Sequence, residues 1–368
     1  MNYHFVEETT ISSPALVYYE DVIRENIIKA CTEAGSAEKL WPHVKTHKSQ
    51  KLTEILLEHG IDKFKCATIA EAEMVAQTEA KNILLAYPLI GPNIEKFLKL
   101  VKRYPNKKFY ALGDNLECLS ILGKCAQQNK TSIDCFVDVN TGMNRTGVDW
   151  DQIVSFYKQA AGLPGIKLIG MHCYDGERHE QCLENREEKV KITIQKVKNI
   201  QKELKACGLL CDILIMGGSP TFPCYARDMK ESYFSPGTIF VYDEGYKKQF
   251  PDLPYQAGAA VMTRVISHPA DGYFTLDAGY KAISAEQGMR GKLIGYPNAE
   301  EAFQSEEHWT FRMKSGFENE RPHIGEILYV IPWHICPTTA MYDEVAVVSG
   351  KSLKGYWKVT ARARKIYC

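Results

Sequence analysis

The run Trp41-Pro42-His43-Val44-Lys45-Thr46-His47-Lys48 crowds two imidazoles and two amines into eight residues. As extended chain, His43, Lys45 and His47 share one face and Val44, Thr46 and Lys48 the other, because side chains alternate with a period of two. A free lysine holds its proton to about pH 10.4. Burial or neighbouring positive charge releases it, and the neutral amine then attacks a carbonyl or removes a proton. The plain alternative is a solvated basic surface at the end of a strand.

Four other stretches carry candidate chemistry. In Val137-Asp138-Val139-Asn140-Thr141-Gly142-Met143-Asn144-Arg145-Thr146-Gly147 a strand runs into a glycine-flanked polar loop. Arg145 there could hold an oxyanion, although Asn-Thr-Gly is also ordinary turn chemistry. Met216-Gly217-Gly218-Ser219-Pro220-Thr221 and Ser235-Pro236-Gly237-Thr238 pair glycine backbones with hydroxyls, a combination suited to cradling a phosphate. A Gly-Gly pair alone is more often just a turn. Their place on successive late strands matches the usual phosphate site of a barrel. In Met171-His172-Cys173-Tyr174-Asp175-Gly176, Tyr174 is either a packed tyrosine beside a core histidine or a contact to a bound ring or phosphate. Finally, if the strand from Ile327 runs on through Pro332-Trp333-His334-Ile335-Cys336-Pro337, His334 and Cys336 lie on one face and can chelate a soft divalent ion. Catalytic zinc usually has three protein ligands plus water, so water or substrate would complete this shell.

The elements around these stretches alternate. Apolar runs at Ala15–Tyr19, Trp41–Lys45, Phe64–Ala67, Ile83–Ala86, Lys108–Ala111, Ile133–Val139, Lys167–Met171 and Asp212–Met216 predict strands. Helical patterns lie between them, the longest over Glu184–Cys207 with Lys and Glu at helix-neighbour spacing. Such alternation predicts parallel βα units closed into a (β/α)₈ TIM barrel, with an open doubly wound sheet as the alternative. The texture changes near Phe250–Tyr255. Beyond it short β-rich runs punctuated by Gly and Pro predict an all-β domain. The expected fold is therefore α/β, with a barrel over 14–250 and a C-terminal all-β domain over 251–368 that the N-terminal segment 1–13 joins.

Composition narrows the class. The 368 residues are 45% hydrophobic and 24% charged, values of an ordinary globular protein long enough for two domains. A formal net charge of +0 argues against a general nucleic-acid or anionic-membrane binder. No apolar run approaches the ~20 residues of a membrane span, and Met1–Thr10 lacks the apolar core of a signal peptide. The twelve cysteines form no regular framework and read as reduced thiols of a cytoplasmic protein.

Pro42-His43-Val44-Lys45-Thr46-His47-Lys48, Asn140 to Gly147, Gly217-Gly218-Ser219 and His334-Ile335-Cys336-Pro337, in that order, resemble the fold-type III pyridoxal-phosphate enzymes. Within these they resemble specifically the metal-dependent D-threonine aldolases and D-serine dehydratases, which share an alanine racemase-like architecture. The resemblance covers nearly the whole chain. It implies Lys45 as the lysine that carries pyridoxal 5'-phosphate, Arg145 near the cofactor ring oxygen or substrate, and Tyr174 against the cofactor. Gly217, Gly218 and Ser219 would hold the phosphate, with Gly237 and Thr238. His334 and Cys336 would bind the metal, zinc first and manganese second, and act in catalysis with Lys45. His-x-Cys resembles the dehydratase group and His-x-Asp the aldolases. The implied function is a lyase of D-β-hydroxy amino acids, first a D-serine dehydratase and second a D-threonine aldolase. A racemase would need a second acid/base on the opposite ring face. A non-catalytic pyridoxal-phosphate carrier would lack the β domain. A small D-amino acid is the implied partner, with a homodimer as the implied assembly.

Overall fold

The structure, a computed structural model, describes residues 2–364. Contacts divide the chain into two units, neither continuous in sequence. One contains the residues up to Ile27, Thr46–Lys51 and Thr238–Arg362; the other contains Ile28–Lys45 and Leu52–Gly237. The expected cut at 250/251 differs from this division in both directions. Residues up to Ile27 join the β-rich unit, and so does the stretch from Thr238 to Arg362.

The first strand, β1 (Ala15–Tyr19), is where it was expected but in the other sheet. It pairs antiparallel with β9 (Ala259–Ser267) and parallel with a late strand, Val17 opposite Ala346. The reason is visible in its sequence, Ala-Leu-Val-Tyr-Tyr. A run that is apolar on both faces states that it will be buried, not in which sheet.

The barrel unit holds seven parallel strands in chain order: β2 (Lys63–Cys66), β3 (Asn82–Leu85), β4 (Lys108–Gly113), β5 (Ile133–Asp138), β6 (Ile166–Cys173), β7 (Ile213–Met216) and β8 (Tyr233–Phe234). All six predicted strands after Trp41–Lys45 are found here, within a residue or two at each end. The segment Leu40–His43 closes the sheet, with Leu40 bridged to Phe234 of β8 and His43 to Lys65 of β2, both parallel. Intervening helices begin where their caps direct. Asn115 accepts from the N–H of Cys118 at 3.0 Å, and Thr68 from that of Glu71 at 3.1 Å. Helix Pro92–Arg103 starts on its proline and buries Ile94, Phe97, Leu98 and Leu100, one face of the period.

An aromatic layer fills this barrel. Trp41 meets Tyr110, Phe136 and Tyr233 edge-on at centroid distances of 5.3, 5.8 and 5.6 Å. Its indole N–H donates to Phe64 O at 2.9 Å. Two residues beyond inner positions 41, 136 and 233, strand alternation brings His43, Asp138 and Ser235 to the same inner side, one layer nearer the carboxyl ends of the strands. Apolar below, polar above: that is what positions the site.

In the other unit, β10 (Tyr273–Leu276), β11 (Gly291–Leu293), β12 (Ala299–Gln304), β13 (Trp309–Met313), β14 (Ile327–Pro332), β15 (Glu344–Ser349) and β16 (Ser352–Lys358) join β1 and β9. The order is β12-β13-β10-β9-β1-β15-β16, with β14 beside β9 and β11 beside β14. Tyr3, Val17, Tyr19, Met262, Tyr329 and Val348 are among the residues that form its core. No helix among the described residues is long and apolar enough to cross a membrane.

Candidate active site

The expected strand Trp41–Lys45 stops at His43. Its backbone N–H donates to Pro236 O at 2.9 Å, and Val44–Thr46 then winds into a 3₁₀ turn. The alternation of His43, Lys45 and His47 on one extended face is therefore not realised. His43 Nδ1 instead accepts the backbone N–H of Lys45 at 3.2 Å, and His47 Nδ1 that of Ser49 at 3.1 Å. Burial pushes His47 down to about 3, keeping it neutral and able to accept. Both imidazoles hold backbone rather than tune an amine.

Lys45 itself is half-buried, with Nζ 5.7 Å from the centroid of the Tyr174 ring. Two more cations face the same ring. Arg145 Cζ stands 5.1 Å from it and Lys65 Nζ 5.2 Å. Two glycines leave room for the ring. A Cβ at Gly176 would come within 2.5 Å of it, and one at Gly218 within 2.9 Å. Arg145 is presented by a loop closed at its base, where Asn140 N–H donates to Val148 O at 3.0 Å. Within that loop Asn140 Oδ1 accepts from the N–H groups of Gly142 and Asn144 at 3.2 and 3.0 Å, a turn that short polar side chains favour.

Below the ring lies a buried polar chain. Asp138 accepts from Thr146 Oγ1 at 2.8 Å and from His172 Nδ1 at 2.7 Å. Lys65 Nζ lies 3.2 Å from His172 Nε2 and 2.7 Å from Ser235 Oγ. Burial alone would raise Asp138, but its bonds to His172 and Thr146 and the Lys65 charge hold it below the usual carboxylate range. Burial and the Lys65 charge lower His172 against the pull of Asp138.

The glycine loop after β7 is anchored from beneath by Asp175. Its carboxylate accepts from Gly218 N–H at 3.1 Å, Thr221 Oγ1 at 2.7 Å and Tyr225 OH at 2.9 Å. Burial nevertheless raises Asp175 to about 6. Gly217 N–H donates to Cys173 O at 2.9 Å and Gly237 N–H to Ser219 Oγ at 3.1 Å. The three glycine amides expected as phosphate donors thus bond within the protein in this structure. The loop shape they build is present, with Gly217 at φ +71°, a left-handed conformation that favours glycine.

In the β-rich unit β14 ends at Pro332 and does not continue through Cys336, as the chelation argument assumed. His334 is the extended cap of the short helix Ile335–Thr339, which contains Cys336. The two side chains still meet. Burial would lower His334, but hydrogen bonding and charge from Cys336, then Glu286 and Asp243, raise it to about 9. Its Nδ1 also bonds Glu286. Cys336 Sγ lies 3.3 Å from Thr46 Oγ1 and 3.7 Å from Thr238 Oγ1, so Thr238 presents its hydroxyl to sulfur. Asp243 fixes the turn by accepting the Ile335 N–H at 3.0 Å. Among the described residues no group of three or more His, Cys, Asp or Glu is disposed to hold a metal. The donor chemistry of the pair suits a soft divalent ion; the rest of the shell must come from elsewhere.

The family model for the N-terminal domain of alanine racemase matches residues 20–244, more than half of the chain. The chain belongs to the alanine racemase-like, fold-type III family. Residues 258–348 match a second domain model, whose description names serine dehydratase as a provisional activity. The D-threonine aldolase of an Arthrobacter species is 27% identical over 88% of this chain and 85% of its own. Among solved structures, D-threonine aldolase from Filomicrobium marinum has a TM-score of 0.88 at 23% identity, over 97% of each chain. D-threo-3-hydroxyaspartate dehydratase from Delftia sp. HT23 has 0.85 at 20% identity, over 95% of this chain and 98% of that one. A cysteine-to-alanine mutant of a dehydratase of that name is described in a metal-free form.

In this alanine racemase-like chain the barrel unit brings Lys45, Arg145, Tyr174, Gly217, Gly218, Ser219 and Gly237 into one unit, while Thr238, His334 and Cys336 belong to the other. Sequence reasoning passed over Lys65, Asp138 and Asp175, and took His172 as a core residue. A signal existed for Lys65: a lysine inside the short apolar strand Lys63–Cys66 has to be satisfied by buried partners.

Proposed function

We propose that the chain is a pyridoxal-phosphate- and metal-dependent lyase of D-β-hydroxy amino acids, and that it converts D-serine to pyruvate and ammonia. One observation carries the cofactor reading: an amine, a second amine and a guanidinium gather within 5.7 Å of one aromatic ring. A planar, phosphate-bearing aldehyde meets each of those groups. The amine would hold the aldehyde, the cations would offset the phosphate, and the ring would pack against the flat face. The residues present therefore fit the group.

When bound, pyridoxal phosphate supplies an electron sink that makes the α-carbon of an attached amino acid acidic. Lys45 would hold the cofactor, and its Nζ, when free, would take the α-proton. Arg145 orients an anionic group over Tyr174. The two glycines at 176 and 218 keep that ring in place. His334 and Cys336 would hold the metal, whose Lewis acidity would polarise the β-hydroxyl so that it leaves. Loss of hydroxide from the β-carbon, followed by hydrolysis, gives the 2-oxo acid and ammonia. Cys336 supports dehydration over retro-aldol cleavage, since the His-x-Cys pair resembles the dehydratase group.

The identity to the Arthrobacter D-threonine aldolase favours a second reading, release of glycine and an aldehyde. Assays with pyridoxal phosphate and zinc separate the two. Pyruvate from D-serine, lost on chelation while the cofactor's visible band persists, is the expected result. Cys336→Asp should move the product ratio towards glycine from D-threonine. Glycine as the main product of the wild-type protein, with no pyruvate, would replace the dehydratase by the aldolase.

A further inference from the structure

The loop that presents Arg145 is tied down on both limbs. On its far limb Gly147 N–H donates to Asp114 Oδ2 at 3.0 Å and Thr146 Oγ1 to Asp138 at 2.8 Å. On its near limb stands Thr141, 8% exposed, whereas Gly142 to Arg145 in the middle are all exposed. The Thr141 hydroxyl reaches two acceptors, Tyr174 O at 2.9 Å and Glu177 Oε2 at 3.1 Å. A threonine hydroxyl has one hydrogen to give, so the two oxygens share it. One of them belongs to the residue whose ring Arg145 faces at 5.1 Å.

The other oxygen belongs to a carboxylate that depends on this bond. Glu177 Oε1 is buried and, like the Nε of Arg178 3.5 Å away, has no hydrogen-bond partner among the described residues. A buried carboxylate with one oxygen unsatisfied loses more on giving up its remaining bond than an open, hydrated one does. The loop backbone lies against it, since a Cβ on Gly142 would come 3.4 Å from Oε1. Arg178 beside it reaches the frame of the unit, its Nη2 donating to Thr193 Oγ1 at 3.4 Å in the long helix Leu183–Ala206.

We propose that the Thr141 hydroxyl, shared between the Tyr174 carbonyl and the Glu177 carboxylate, is a latch that holds the Arg145 loop to the Tyr174 segment and so fixes the guanidinium over the ring. Thr141 and Glu177 are positioning residues that act through Arg145. With the latch released, the exposed middle of the loop samples positions away from the ring. An anionic ligand must then order that loop as it binds, at an entropic cost. The benefit to bound pyridoxal phosphate rests on the cofactor reading above; the latch itself does not.

The first arm of the test is hydrogen exchange, followed by mass spectrometry on peptides spanning 140–147 of the full chain without cofactor. Thr141→Val and Glu177→Met should each speed exchange there by about fivefold, the scale of one lost hydrogen bond to a buried acceptor. Thr141→Ser, which keeps the hydroxyl, should exchange like the wild type. Unchanged exchange in all three variants overturns the proposal. A rise in Thr141→Ser as large as in Thr141→Val assigns the effect to packing and also overturns it. Should Thr141→Val not fold, Glu177→Met and Thr141→Ser decide. The second arm titrates pyridoxal phosphate by its visible band. Thr141→Val should weaken binding about fivefold in the wild-type background and by less than about twofold beside Arg145→Ala, because it acts through that guanidinium. Equal losses in the two backgrounds mark a merely structural threonine and overturn the proposal. A wild-type protein without the band overturns the cofactor reading and leaves the exchange arm to decide the latch, so the two failures are distinguishable.

Discussion

At the scale of single residues, the carboxylate of Asp138 is the keystone of the polar layer, because it fixes the tautomer of His172 and through it the acceptor that Lys65 requires. Its folded-state pKa lies below the ordinary value. Its stabilising contribution is therefore present above the unfolded pKa and is lost as pH falls through the folded one. Asp138→Asn should cost about 2 kcal/mol in urea unfolding at about pH 7, the scale of a buried hydrogen bond to a charged group. The difference from wild type should shrink as pH falls below the carboxylate range. Arg145 and Tyr174 were legible in the sequence because each follows a strand in a polar, glycine-marked setting, and Lys45 because two histidines and a second lysine crowd around it. Lys65 was not, since a lysine in a four-residue strand looks like an edge charge until its partners from β5, β6 and the turn after β8 are known. Those partners are 73 to 170 residues away in sequence, and no local pattern encodes them.

At the scale of elements, the turn that follows β7 depends on Asp175, which draws together Gly218, Thr221 and Tyr225. Here the sign is reversed. Asp175 is raised from 3.8 to about 6, so the folded chain binds its proton more tightly than the unfolded chain. That contribution is full below the lower value and is lost as pH rises through the upper one. Asp175→Asn should therefore gain stability relative to wild type as pH rises across this window, by at most about 3 kcal/mol. Thermal melts of both proteins at matched pH values measure it, and parallel pH dependences would contradict it. The strands of the barrel were readable from apolar runs alone. The end of Trp41–Lys45 was not, because its sequence alternates well enough to continue. What bends it is the Nδ1 of His43 taking the Lys45 N–H, a local side-chain bond that competes with extended backbone. The helical turn at Cys336 is set similarly, by a carboxylate 92 residues earlier accepting the Ile335 N–H.

At the scale of the whole molecule, a (β/α) barrel unit and a β-rich unit were predicted and found. Sequence periodicity reports burial and spacing, so it counted β1 correctly and could not assign its sheet. The tie of β1 to β9 and to Ala346 is a contact across most of the chain. Each unit is thus assembled from separated segments, and Lys45 and Thr46 are adjacent residues assigned to different units. One family model matches residues 20–244 and a second matches residues 258–348.

The most direct measurement is to load the protein with pyridoxal phosphate, reduce it with borohydride and map the modified peptide by mass spectrometry. A single pyridoxyl group on the peptide containing Lys45, absent from Lys45→Ala, is the predicted result. Modification at Lys65 instead, or none at either lysine in a folded wild-type protein, would contradict the assignment of Lys45.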